Sequence, residues 1–159
     1  MRHRNIRFGR PACHLFGLLY AIASVSSAHA AGFETPEDAV LALERAYAQR
    51  DADHVVATID FVEEGRQMLQ KINPTLTTDP DMIKQAAEGR ELAFRTALRT
   101  NGFPDFAHLR CLFVGKRPIA PGLVELTQQC ISPDGSKSLN ELLVVKSEAG
   151  WRVTFRPPP

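Results

Sequence analysis

Cysteine and histidine are scarce in this chain, at three and five in 159 residues. No C-x-x-C or H-x-x-x-H occurs, so neither a closely spaced zinc cluster nor a thioredoxin-like redox pair is supported. Long apolar runs are missing as well. The longest, ACHLFGLLYAIASV from Ala12 to Val25, is shorter than the ~20 residues that a spanning helix needs. There is no P-loop, Gly-rich dinucleotide turn, Ser-His-Asp set or metal constellation, and so no motif that implies a cofactor or a metal. A basic excess is absent too, with a formal charge of only +1. Nucleic acid is therefore a poor partner, since phosphate binding depends on a basic surface.

What the chain does have begins at residue 1. Arg2, Arg4, Arg7 and Arg10 precede the short apolar run, and SSAHAAG follows it with Ala28 and Ala30 at small-residue positions. A basic start, an apolar centre and an A-x-A site form the secretory signal pattern, with cleavage expected after Ala30. Residues 1–30 are then a removed signal, 31–156 one domain and 157–159 a proline tail. Processing would leave 15 basic residues against 18 acidic ones, a formal charge of −3. The expected location is the periplasm or the exterior, with no stable membrane anchor after cleavage.

Cys13 would leave with the signal, so Cys111 and Cys130 remain as an even pair in an oxidising compartment, where disulfides persist. DFAHLRCLFVG and GLVELTQQCIS both read as strands, and the two-proline KRPIAP reads as their connection. An antiparallel hairpin centred near Pro118–Pro121 brings the two cysteines almost opposite each other, within disulfide reach. Two buried free thiols are the alternative.

The remaining pattern divides into a helical half and a strand half. Thr35 is an expected N-cap, with Pro36 in the first turn, and Val40, Leu43 and Tyr47 recur at helical spacing to about Arg50. A short second helix follows, capped by Asp51 or Asp53. A third carries Met68, Leu69 and Ile72 on one face and stops at Asn73-Pro74. The fourth runs from the Asp79 cap to Asn101-Gly102, with Ile83, Ala86, Phe94, Ala97 and Leu98 as its stripe. After Pro104 the period becomes two. Two further strands follow the first pair, SLNELLVVKS after a PDGS turn and WRVTF after EAG. Helices followed by an antiparallel meander make an α+β arrangement.

TPEDAVLALERAYAQRDADHVVATID and LLVVKSEAGWRVTF resemble the opening helices and last hairpin of the nuclear transport factor two-like superfamily. That resemblance covers most of residues 34–156. It implies N-terminal helices packed on a curved antiparallel sheet of about four strands, forming a cone. It leaves activity open, because members include isomerases, dehydratases, polyketide cyclases, immunity proteins and binding modules.

Few residues are available for chemistry. Asp60, after the second helix, is a candidate general base in the cone if an apolar wall buries it; otherwise it is a helix-terminal aspartate. Tyr47 reads as pocket lining or core, and His54 as an exposed first-turn residue. His108 would alternate with Phe106 and Arg110 on a mixed sheet face. On the sheet, Leu109, Cys111, Phe113, Val124, Leu126, Leu142, Val144, Val153 and Phe155 share the core face. The opposite face mixes charge with aliphatics and is either solvated or a contact surface, with Arg110, Leu112, Leu143 and Arg152 as its candidate binding residues. The leading expectation is a non-enzymatic binding module that meets a protein partner or a second copy through the sheet, toxin immunity being one version. A small apolar ligand in the cone is compatible with it. The alternative is a small lyase or isomerase using Asp60.

Overall fold

Thr35, Asp51, Asp60 and Asp79 each turn the chain into a helix. Each carboxylate or hydroxyl oxygen accepts from backbone N–H groups that the first helical turn leaves without partners. The helices they start are α1 (Pro36–Ala48), α2 (Ala52–Thr58), α3 (Phe61–Ile72) and α4 (Pro80–Asn101), with a 3-10 turn at Pro74–Thr78 between the last two. Pro36 and Pro80 stand in their first turns, where a missing N–H costs nothing. The computed structural model describes residues 32–106 and 108–155. The expected signal, residues 1–30, and the proline tail lie outside the described residues.

Four strands follow: β1 (Arg110–Ala120), β2 (Leu123–Ile131), β3 (Lys137–Ser147) and β4 (Gly150–Thr154). They form one antiparallel sheet in the order β1-β2-β3-β4. The chain is α+β, helices first and a four-stranded antiparallel meander second.

The core lies between α1 and one face of the sheet. Val40 and Leu43 of α1, Val55 and Ile59 beyond it, and Leu126, Val144 and Val153 of the strands are buried together. Phe113, Val124, Leu142 and Phe155 pack against this cluster, as their alternation predicts. Both ends of the first helical segment tie into β4. Phe33 bridges Trp151, and Ile59 bridges Val153. Gly150 makes the first of these possible: its φ is 123°, and an added Cβ would stand 2.7 Å from the backbone of Gly32.

Several expectations need correction. β1 does not stop before the prolines but continues to Ala120, and the chain reverses at Pro121-Gly122. Pro118 is tolerated because β1 is an edge strand, where it lies beside a register shift. His108 sits in a turn ahead of β1 rather than on the strand. On α3 only Leu69 of the expected face is buried; Met68 and Ile72 are exposed, and so is Ala97 of α4. The helices α3 and α4 pack mainly on each other, so their apolar stripes meet less of the sheet than periodicity alone implies.

Candidate functional site

Three places in the fold could do chemistry or binding. The first is a cavity of about 330 Å³ between α1 and the sheet, lined by Val40, Leu43, Tyr47, Phe106, Leu109 and Leu142 among others. Tyr47 stacks on Phe106 at 5.5 Å and meets Phe103 edge-on at 6.4 Å. Burial raises the Tyr47 hydroxyl above its ordinary value. Asp105, Ser138 and Asn140 add polar groups to this cavity, as do Glu44 and Gln128, which are bonded to each other, Gln128 Nε2 donating to Glu44 Oε1 at 2.7 Å. Sequence reasoning missed both. Their signal was positional: Glu44 falls between Val40 and Tyr47 on the buried stripe, and Gln128 falls between Leu126 and Cys130 on the core face.

The second place is an open groove of about 710 Å³ between the α2–α3 junction and α4. Val56, Ile59, Phe61, Ile83 and Ala87 supply apolar walls, and Asp60 and Arg152 also line it. Arg95 crosses its rim, donating to Asp53 at 2.7 Å and Glu91 at 2.8 Å. Asp60 is 7% exposed, and its Oδ1 accepts from the Glu63 N–H at 2.9 Å as the cap of α3. Tyr47 and Asp60, read from sequence as partners in one pocket, therefore line two different cavities. His54 stays at the exposed start of α2, its Nδ1 2.6 Å from Asp51 Oδ2. The His54 backbone N–H, followed by its ring, holds the Asp51 carboxyl below the usual carboxylate range.

The third place is the outer face of the sheet, which is divided into two halves. Toward β4 it is closed. In register across β1 to β4 stand Arg117, Glu125, Leu143 and Thr154. Arg117 Nη2 donates to the buried Glu125 at 2.6 Å. From α3, Glu64 Oε1 accepts from Thr154 Oγ1 at 2.7 Å and from the Phe155 N–H at 2.6 Å, while Arg90 of α4 donates to Oε2 at 3.0 Å. Leu143, expected as a binding residue on an accessible outer face, is 8% exposed between these groups. The other half of the face is open. Leu112 of β1 and Leu139 of β3 are 68% and 64% exposed, and both are in register with Gln129 between them. The four candidate binding residues are thus split. Arg110 and Leu112 lie on the open half, Leu143 is buried, and Arg152 is half-buried at the groove.

Cys111 and Cys130 are directly in register and form the disulfide, with a Cα separation of 4.0 Å. Among the described residues no group of three or more His, Cys, Asp or Glu is placed to hold a metal. Among them, too, no helix is long and apolar enough to cross a membrane.

No protein-family model matches the chain, and no curated protein does. A crystal structure at 2.00 Å of a Campylobacter jejuni protein, provisionally described as an NTF2-like transpeptidase, is similar over 77% of this chain and 100% of its own. The identity is 15% and the TM-score 0.42. At those values the likeness decides neither the fold nor the activity of this chain. The α+β assignment rests on this chain's own four helices and the antiparallel sheet that follows them.

Proposed function

We propose that the protein is an exported binding module that engages a polypeptide partner through the open half of its sheet. The observation that carries this reading is the exposed row of Leu112 and Leu139 flanking Gln129, on a face whose other half is closed by α3. Val114 and Ile119 of the same β1 strand are exposed as well. Exposed aliphatics grouped on one surface mark contact sites, and interfaces draw most of their energy from a few desolvated anchors. Export is supported by the pattern of residues 1–30 and by the Cys111–Cys130 bond.

Leu139→Asp tests the contact without touching the core. It should abolish capture of the partner from a periplasmic extract while circular dichroism stays that of the native protein. Equal capture by wild type and Leu139→Asp would refute the reading. Leu143→Asp is unsuitable for this purpose, because a buried carboxylate at that position would unfold the sheet. The intact mass of the exported chain should begin at Ala31, and a mature species retaining Arg2–Ala30 would overturn the compartment.

A second reading keeps Asp60 as a general base for a lyase or isomerase reaction. The observation in its favour is that a buried carboxylate lines the larger groove beside apolar walls. Asp60→Asn preserves an acceptor for the Glu63 N–H and should leave partner capture intact. Loss of the cellular phenotype in Asp60→Asn alone, with Leu139→Asp silent, would favour catalysis.

A further inference from the structure

The two edges of the sheet are finished differently. The β4 edge is occupied: Phe33 exchanges hydrogen bonds with Trp151, and Asp60 N donates to Val153 O. Among the described residues no strand lies beyond β1. Edge strands left open are templates for pairing, and proteins usually blunt them with bulges, prolines and lysines. The second half of β1 carries all of these, with register shifts at Phe113/Gly115 and Pro118/Ala120, together with Lys116 and Pro118 itself. The first half, Arg110 to Phe113, carries none.

We infer that this first half pairs antiparallel with the same segment of a second copy, about a two-fold axis through Leu112. The inference rests on the reading of the sheet as a contact surface and names its partner. The backbone phase comes from the disulfide. A Cα separation of 4.0 Å across Cys111 and Cys130 belongs to a non-hydrogen-bonded antiparallel pair, for which ~4.5 Å is usual against ~5.5 Å for a bonded one. Cys111 therefore aims its N–H and C=O away from β2, and Phe113 does the same two residues later. With the axis at Leu112, Cys111 of each copy faces Phe113 of the other, and both pairs exchange N–H and C=O.

The side chains fit the same register. Leu112 meets its own twin on the outer face, burying two leucines that otherwise stand in water. Arg110 then lies opposite Val114, so no like charges oppose each other. A contact that is self-complementary in this way closes after two subunits. It would join two four-stranded sheets into one of eight strands, with Leu139 of each copy flanking the leucine pair.

Sedimentation of the purified protein across the micromolar range, combined with amide hydrogen exchange, tests the inference. A dimer is expected, in which the Cys111 and Phe113 amides exchange at least tenfold more slowly than in the monomer. Leu112→Asp sets two carboxylates face to face and should weaken association at least tenfold, with unchanged circular dichroism. Three results would overturn it: a monomer at every concentration, a dimer indifferent to Leu112→Asp, or edge amides that exchange equally fast in monomer and dimer. If the protein is monomeric yet Leu139→Asp still abolishes capture of a different protein, the contact surface stands and the two-fold edge falls.

Discussion

At the scale of single residues, the most consequential side chain is one that periodicity gives no reason to single out. Glu64 is 4% exposed, yet its two oxygens accept from Thr154, the Phe155 backbone and Arg90. Removing the carboxylate leaves the buried Thr154 hydroxyl and the part-buried Phe155 N–H without this acceptor, at a cost of about 1–3 kcal/mol for a group so stranded. The half-exposed Arg90 can turn toward water. Glu64→Ala should therefore lower the urea midpoint steeply, while Glu64→Gln, which keeps one carbonyl acceptor, should lose distinctly less. Equal losses would mean that the negative charge of Glu64, rather than a retained acceptor or its volume, is what matters there. Tyr47 offers a pH test. Burial raises its pKa, so the neutral hydroxyl is the form that the folded state favours. The associated stability is fully present below the ordinary tyrosine value and is lost as pH rises through the raised one. Tyr47 and Tyr20 are the two tyrosines of the chain, and Tyr20 lies in the expected signal. The processed protein should thus show one phenolate transition, displaced upward from that of its unfolded state. A transition at the ordinary value would place Tyr47 in water.

At the scale of elements, the most local signals were the most legible. Thr35, Asp51 and Asp79 cap the helices expected of them, because a cap is decided by a side chain and the two or three N–H groups after it. The pairing of Cys111 with Cys130 was legible for a similar reason, since one hairpin contains both. The turn was misplaced because prolines ordinarily end strands, whereas on an edge Pro118 has no N–H that the ladder requires. Leu143 was misjudged for a different reason. Alternation assigns it correctly to the outer face but does not reveal that Glu64 of α3 reaches Thr154, in register beside it. Gly65 shows the same limit. In the sequence it is a weak point in a helix, and in the fold it is where α3 crosses α4. A Cβ there would lie 2.7 Å from Ala87 N, a backbone atom that cannot swing aside. Overpacking of this kind costs about 1–3 kcal/mol, so Gly65→Ala should destabilise despite the better helix propensity of alanine. Thermal melting decides the sign, and a raised midpoint would mean that the two helices separate without penalty.

At the scale of the whole molecule, stability is unevenly distributed. β2, β3 and β4 lie under α1, and β4 is further tied to residues 33 and 59. β1 is held chiefly by its ladder with β2, by the disulfide, and by ion pairs from Lys116 to Glu37 and from Arg117 to Glu125. The disulfide spans a sequence separation of 19, which in the chain-entropy account stabilises the protein by about 3 kcal/mol. That effect acts through the unfolded chain, so reduction should speed exchange of all globally protected amides by a common factor of roughly a hundred. The fold adds a local effect to the global one. Without the bond, β1 can leave β2 while α1 and the other three strands stay packed, an opening that exposes little of the core. Amides on the β1–β2 ladder should therefore leave the common set and exchange faster than those of β3, β4 and α1. Native-state exchange on the oxidised and reduced protein separates the two effects. If every protected amide accelerates by the same factor, β1 belongs to the same cooperative unit as the core. If the β1–β2 amides alone run ahead, the disulfide is what holds the open edge in place.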